Sequence, residues 1–376
     1  MKRRLLGLAV ISIFFMGFAP NRSENSKVLK TEMSILYQSL AKILPLYLDS
    51  DRFYNVKNKT LVESKLEAIH THSKQIKKFL STSDEELKIL SRSLEHSSNL
   101  ARINFKRELR GQSNYYVGEV LDTCFACHSS RKSSNDSQLD LLKHVNLADL
   151  APNAKAKLMT ISRQFSQAMD EYEDIILKHQ LDLSEIIHFD PFLKYLVLGL
   201  RVRPDVPRVA KTLNAAIKRP LPQSIKQDIR IWIKSLEDVR SKEWSQGDLL
   251  QQVQRLMQKG KLVMDFPKDQ SGAVYYLEAS RRLKEFLANK DVDKKRKAHA
   301  YLLLGKSEMV IGRSFLGLEA RRYFEITIRL QPKTGIAQDA FKIYENSVLF
   351  GYTGSSGMHL PEDEAAKLEE LRQKAY

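Results

Sequence analysis

The pentapeptide Cys-Phe-Ala-Cys-His at positions 124–128 constrains this chain more than any other stretch of its sequence. It holds both cysteines of the 376-residue chain, Cys124 and Cys127, and it ends in His128. On a helix these three side chains stand at positions i, i+3 and i+4, so they face the same way. Because the surrounding residues have a helical apolar pattern, the sequence predicts two thiols and an imidazole on one helix face.

The spacing Cys-x-x-Cys-His is typical of covalent haem attachment. Two thiols can form thioethers with the two vinyl groups of one porphyrin, and the following histidine can bind its iron. A zinc site would need two more ligands at a comparable spacing, and the sequence offers none. A thioredoxin-like dithiol would need a βαβ context. We therefore predict one haem c, attached through Cys124 and Cys127, with His128 as the proximal iron ligand.

The first 19 residues have the pattern of a secretory signal peptide. A basic segment at 2–4 precedes an apolar run from Leu5 to Ala19, which is shorter than the roughly 20 residues that a membrane helix needs. Export agrees with the haem motif, because c-type haem is attached outside the cytoplasm. We predict a periplasmic protein, and Pro20 directly after the expected cleavage point leaves an uncleaved membrane anchor as the alternative.

Residues 22–135 contain four amphipathic helical patterns. Capping boxes of the form Ser/Thr-x-x-Glu predict that the second helix starts at Thr60 and the third at Ser83. The fourth starts near Ser113 and runs into the haem motif. Mostly short connections predict an up-down-up-down bundle. In this topology the end of the fourth helix lies beside the start of the first, the end of the second and the start of the third.

This topology predicts which side chains surround the cofactor. Met33 lies about two turns into the first helix on its apolar face, so we predict it as the distal iron ligand; ordinary core packing is the alternative. Four other side chains share the face of Cys124 or lie at the same end of the predicted bundle: Val120, Leu121, Phe125 and Phe79. They are predicted to contact the cofactor, and ordinary core packing is again the alternative.

A four-helix bundle with Cys-x-x-Cys-His near the end of its last helix resembles the class II c-type cytochromes, meaning cytochrome c-prime and its low-spin relatives. The resemblance covers about the first third of the chain. In the low-spin relatives a methionine early in the first helix is the sixth ligand, and Met33-x-x-Leu36-x-x-x-Leu40 is similar to that pattern. In cytochrome c-prime that residue does not bind the iron. Family members often have a basic residue four positions after the histidine, and Lys132 occupies that position.

The serine-rich polar segment 129–138 predicts a domain boundary. Everything after it has helical patterns, including one helix expected over 152–178, and no convincing strand appears. The predicted fold class is therefore all-α. The predicted parts are a signal peptide at 1–19, a four-helix-bundle cytochrome domain at 22–135, a helical domain at 139–270 and a tetratricopeptide-like α-solenoid region at 271–376.

The last hundred residues resemble tetratricopeptide repeats. Leu304 and Gly305 are similar to the Leu-Gly of a repeat's first helix, and Ala320, Phe324 and Pro332 to conserved positions in and after its second helix. The gap between these halves is about three residues longer than in the standard unit of about 34 residues. The resemblance implies a concave surface that binds a peptide or protein. A generic helical bundle is the alternative.

The net charge of the chain is +16. This excess predicts acidic protein partners or peripheral contact with anionic membranes. Nucleic acid is the weakest prediction, because the positive charge is spread along the chain. The densest basic run, residues 294–297, opens a predicted helix and is interpreted as a solvated face.

Three functions are consistent with these patterns. The first is a periplasmic mono-haem c-type cytochrome that transfers electrons and docks on an acidic redox partner through its C-terminal helices. The second is a five-coordinate haem protein that binds or senses nitric oxide or carbon monoxide, if Met33 is not a ligand. The third is a helical-repeat scaffold whose haem reports the redox state. An enzyme is disfavoured, because a single haem is accompanied by no acid–base constellation in the sequence.

Overall fold

The computed structural model describes residues 22–47, 50–81, 85–129, 146–181, 190–266, 269–289, 291–312, 318–355 and 357–376. Within these ranges the chain is helical apart from one pair of two-residue strands, so the predicted all-α class is confirmed. The predicted signal peptide, most of the predicted linker and Lys132 lie outside the described residues.

Four long helices and one short helix form the N-terminal part. They are α1 (Arg22–Tyr47), the short α2 (Ser50–Phe53), α3 (Val56–Leu80), α4 (Glu85–Lys106) and α5 (Arg110–Ser129). Helix α1 packs against α3, α3 against α4, and α4 against α5. The helix that was predicted to start at Thr60 begins earlier, because the side chain of Asn55 caps it by accepting a hydrogen bond from the backbone N–H of Lys57.

Each of the four long helices buries one apolar stripe in a shared core. The stripes follow the helical spacing that the sequence predicts, and their buried members include Leu36, Leu40, Val62, Leu66, Ile69, Leu90, Leu94, Val117, Val120 and Leu121. At about 25 cal/mol per Å² of buried apolar surface, this common core is the main stabilising contribution to the packing of the helices.

Eleven helices follow within the described residues. They are α6 (Pro152–Ile161), α7 (Phe165–Lys178), α8 (Pro191–Val197), α9 (Val206–Ala216), α10 (Gln223–Asp238), α11 (Leu249–Leu262), α12 (Ala273–Ala288), α13 (Lys294–Ile311), α14 (Leu318–Leu330), α15 (Gly335–Gly351) and α16 (Glu362–Ala375). A π-helical segment, Leu198–Val202, continues α8. Two single turns of 3-10 helix lie at Leu147–Asp149 and Lys242–Ser245. The strands β1 (Thr353–Gly354) and β2 (Gly357–Met358) pair antiparallel.

The single helix predicted over 152–178 is wrong, because the chain breaks between α6 and α7. Arg163 has a positive φ of 64°, and its N–H donates to the carbonyl of Thr160 while the N–H of Gln164 donates to that of Met159. These two bonds form a Schellman motif. The usual sequence signal for this ending is glycine, and arginine takes its place, so the break is not visible from the sequence.

The N-terminal and later helices are packed together. The apolar core of α1 to α5 is continuous with buried residues of α6 to α10, α12 and α13, and α4 also packs against α14. Ile89 of α4 belongs to a second apolar cluster with Tyr275 and Tyr323. The domain boundaries drawn from the sequence stay a prediction.

The helices α11 to α15 pack in chain order, each against the next. At the predicted Leu-Gly position, a Cβ on Gly305 would lie only 2.7 Å from Cε1 of Phe324. Helices α13 and α14 therefore approach closely at this point, and Ala320 and Phe324 are buried there. The tetratricopeptide-like arrangement as a whole stays a prediction.

Candidate functional site

An apolar cavity of about 70 Å³ lies between α1, α3, α4, α5 and α6. All three side chains of the motif, Cys124, Cys127 and His128, line it, and so does Met33 from α1. Most of the remaining wall is apolar and comes from the middle of α1, the end of α3, the start of α4 and the last residue of α6: Leu36, Ile76, Leu80, Leu90, Leu94 and Ile161. The end of α5 thus meets the end of α3 and the start of α4 at the cavity, whereas α1 contributes residues from its middle rather than its start.

The motif occupies the last two turns of α5. Val117, Val120 and Leu121 are buried in the bundle core one to two turns before Cys124 on the same helix face. Because they anchor that face, they set the rotation of the helix and turn the motif toward the cavity. Cys124 is buried and Cys127 is half-buried, and neither is in a disulfide. Burial raises the pKa of the Cys124 thiol to about 12, so this sulfur carries its proton.

The imidazole of His128 forms a hydrogen bond through Nδ1 with the backbone carbonyl of Ile161. A carbonyl can only accept, so Nδ1 carries the proton and Nε2 keeps a lone pair. Burial lowers the pKa of His128 to about 4, which keeps the ring neutral. A neutral imidazole with one nitrogen donating to a carbonyl is the usual state of a histidine that binds a metal.

The ending of α6 explains why that carbonyl is available. Ile161 is the last residue of α6, and the final carbonyls of a helix have no partner within the helix. The Schellman bonds use the carbonyls of Met159 and Thr160 but not that of Ile161. Nearby, Lys157 Nζ lies 2.7 Å from Asp122 Oδ1, which ties α6 to α5 beside the motif. The left-handed turn at Arg163 thus leaves an acceptor for His128.

Met33 is half-buried, packs against the core and contributes its side chain to the cavity wall. Among the described residues it is the one methionine on this wall, and its thioether is a soft ligand of the type that binds haem iron. Tyr37 follows one turn later on α1 and also lines the cavity. Sequence reasoning missed Tyr37, although its i+4 spacing from Met33 is a signal that could have found it.

The other predicted contact residues do not line the cavity. Val120 and Leu121 are buried in the bundle core. Phe125 follows Cys124 by one position, about 100° around the helix, and its ring lies 5.8 Å from Lys194 Nζ of α8. Phe79 is half-buried, whereas its neighbours Ile76 and Leu80 face the cavity. That these four contact a cofactor stays a prediction.

The sequence did not predict the role of the Ile161 carbonyl. It also did not predict three polar residues of the cavity wall: Tyr37, Ser91 and Thr123. Thr123 directly precedes Cys124, and Ser91 follows Leu90 on α4. The contribution of Ser91 and Thr123 depends on how the helices pack, so helical periodicity alone gives no signal for these two.

Within the described ranges, no group of three or more histidine, cysteine, aspartate or glutamate side chains could hold a metal ion. A covalent haem does not require such a group, because the thiols would bond to the ring and only the imidazole and a second axial ligand to the iron. The donor set at the cavity fits that requirement.

Comparisons with protein-family models, with curated proteins and with solved structures find no match for this chain. None of the helices in the described part of the chain combines the length and apolar composition that a membrane crossing requires.

Proposed function

We propose that this protein is a periplasmic mono-haem c-type electron carrier. The observation that carries the proposal is the composition of the cavity wall, on which Met33 of α1 meets Cys124, Cys127 and His128 of α5. Met33 is far from the other three in the sequence, and together the four are the donor types that a covalent, six-coordinate haem requires.

Each of these residues has a separate role in the proposal. Cys124 and Cys127 would hold the porphyrin by thioether bonds, His128 would bind the iron through Nε2, and Met33 would bind it as the second axial ligand. The bound haem supplies a one-electron couple at its iron. The carbonyl of Ile161 keeps the His128 proton on Nδ1 and holds the ring in one orientation.

The surrounding apolar side chains contribute in two ways. Leu36, Ile76 and Leu94 exclude water from the cavity, which is one of the means by which a protein sets a haem potential. Two axial ligands from packed helices would keep the coordination the same in both oxidation states. Little reorganisation would then accompany electron exchange.

The C-terminal helices are proposed to form a tetratricopeptide-like array that docks the electron carrier on a protein partner. Two observations support this. Helices α11 to α15 pack consecutively, and the Gly305–Phe324 contact reproduces the close approach expected at the Leu-Gly position of a repeat.

Mass and optical spectra of the protein test the haem proposal. The full chain is produced with a haem-attachment system, and the mature exported protein should have the mass of the chain plus one haem. A Cys124→Ala/Cys127→Ala variant should have the mass of the bare chain. His128→Ala should alter the spectrum, whereas His96→Ala, at an exposed position on α4, should not. A wild-type protein with the bare-chain mass overturns the proposal.

The reduced spectrum distinguishes electron transfer from gas binding. A low-spin spectrum that carbon monoxide leaves unchanged supports the electron carrier. A high-spin spectrum that shifts with carbon monoxide supports a five-coordinate gas-binding protein instead.

A further inference from the structure

A groove of about 730 Å³ lies on the outer surface where α3, α4 and α14 meet. Six cationic side chains line it: Lys74, Lys77, Lys78, Lys88, Arg92 and Arg329. Among the described residues on its wall, Glu85 is the one acidic side chain. We call this surface the basic groove.

Part of this positive charge is balanced within the protein. Lys77 pairs with Glu95 at 3.0 Å and Lys88 with Glu85 at 2.6 Å. Arg92 and Arg329 share one buried carboxylate, Glu325, whose Oε1 lies 3.4 Å from Arg92 Nη2 and 2.7 Å from Arg329 Nε. These pairs fix the side chains that form the groove walls.

The positive charges of Lys74 and Lys78 are not balanced by ion pairs of this kind. They lie one turn apart on the same face of α3, and both are exposed. Neither has an ion pair with any residue that the structure describes. Their ammonium groups stand in a groove that already has more cations than anions, so an anionic ligand would gain from both.

The basic groove and the cavity are lined by neighbouring residues on the same helix turns. On α3, Ile76 and Leu80 line the cavity while Lys77 and Lys78 line the groove. On α4, Ser91 lines both. An anion bound in the groove would therefore lie about one side-chain layer from the wall of the cavity.

We propose that the basic groove binds a carboxylate-rich segment of the protein with which this chain exchanges electrons, a proposal that rests on the function proposed above. The charge excess selects an acidic partner and steers its approach. The concave shape selects a protruding segment rather than a flat lipid surface. Bound there, the partner would be held close to the haem.

The test compares two variants with the same change in charge. Lys74→Glu/Lys78→Glu alters the basic groove. Lys294→Glu/Lys295→Glu is the matched control, because these lysines are exposed at the start of α13 and do not line the groove. The probe is a fluorescently labelled oligoglutamate peptide, and its anisotropy is measured with the full-length holoprotein at low and high salt.

The wild-type and control proteins should bind the peptide alike at low salt, and high salt should weaken the binding. The groove variant should bind about tenfold more weakly or worse, which corresponds to about 1.4 kcal/mol or more. Equal affinity of the groove variant and the control overturns the proposal.

A second measurement tests whether a peptide bound in the groove transfers electrons to the haem. A photoreducible ruthenium complex is coupled to the same peptide, and haem reduction is followed after a flash. Reduction should be about tenfold slower in the groove variant than in the control, because less peptide is bound. Equal rates overturn the redox role of the groove. If the proposed function fails, no variant shows haem reduction, while the anisotropy still distinguishes the groove variant from the control.

Discussion

His128 contacts the backbone carbonyl of Ile161, which lies 33 residues later in the chain, at the end of α6. The residue predicted to bind iron is therefore oriented by a helix beyond the predicted end of the cytochrome domain at residue 135. Asp122 and Lys157 connect the same two helices at 2.7 Å. Helix α6 is thus part of the candidate haem site.

This contact predicts how fragments of the chain behave. A fragment of residues 22–135 lacks α6, so His128 loses its acceptor and the cavity loses one wall. We expect it to have a lower free energy of unfolding than a fragment of residues 22–181, and a spectrum with mixed spin states. Urea unfolding and optical spectra of the two fragments measure this. Identical spectra and unfolding curves would show that α6 has no part in the site.

Replacing the cavity methionine tests the second axial ligand. Met33→Leu keeps the apolar volume of the side chain but removes its sulfur, so the stability cost is expected to be below about 1.5 kcal/mol. The iron should lose its sixth ligand, and the reduced spectrum should change from low-spin to high-spin and become sensitive to carbon monoxide.

Met169→Leu is the matched control, because Met169 is buried in the same apolar core but does not line the cavity. Its spectrum should match that of the wild type. If Met33→Leu also keeps the wild-type spectrum, Met33 is core packing rather than a ligand.

A buried ion pair connects the π-helical segment with α13. Arg201 Nη1 lies 2.7 Å from Glu308 Oε1, both side chains are less than a tenth exposed, and Ser280 donates to the same carboxylate. Glu308→Gln leaves the Arg201 charge uncompensated, and we expect a loss of about 3–5 kcal/mol in urea unfolding. Glu345→Gln removes one of the two carboxylate partners of the half-exposed Arg372, and it should cost far less because solvent screens that pair. If Glu308→Gln and Glu345→Gln lost the same free energy of unfolding, this interpretation of the buried pair would be wrong.

The same pair predicts a dependence of stability on pH. Burial alone would raise the pKa of Glu308, and so would Glu86 of α4, but Arg201 and Lys284 hold it below its ordinary value. The folded state therefore favours the ionised carboxylate. Its contribution is fully present above the unfolded pKa of about 4.3 and is lost as the pH falls through the lower folded pKa. Between neutral pH and a pH of about 3, the free energy of unfolding should decrease less in Glu308→Gln than in the wild type.

Gly305 tests the close packing of α13 and α14. A methyl group there would meet the ring of Phe324 at 2.7 Å, so Gly305→Ala should cost about 1–3 kcal/mol by overpacking, partly offset by a helix-propensity gain of about 1 kcal/mol. Gly335→Ala places its methyl in open space at the start of α15 and should be neutral or slightly stabilising. Thermal unfolding measures both. A Gly305→Ala variant as stable as Gly335→Ala would show that the two helices can separate freely.

Much of the candidate site was predictable from local patterns. The motif spacing put Cys124, Cys127 and His128 on one face, and the bundle topology brought Met33 to the same cavity. Helix ends were less predictable. The capping box at Thr60 lies inside α3, because Asn55 starts the helix earlier, and the break at Arg163 has no glycine to mark it.

The sequence by itself determined which side chains share a helix face, because the 3.6-residue period acts within a few turns and does not depend on the rest of the molecule. Only the tertiary structure decided that Ile161 of α6 supplies the acceptor for His128 and that Arg329 of α14 joins the lysines of α3 in the basic groove. Contacts of this kind join residues that are far apart in the chain. They depend on the angles and distances at which helices pack, and helical periodicity does not encode these.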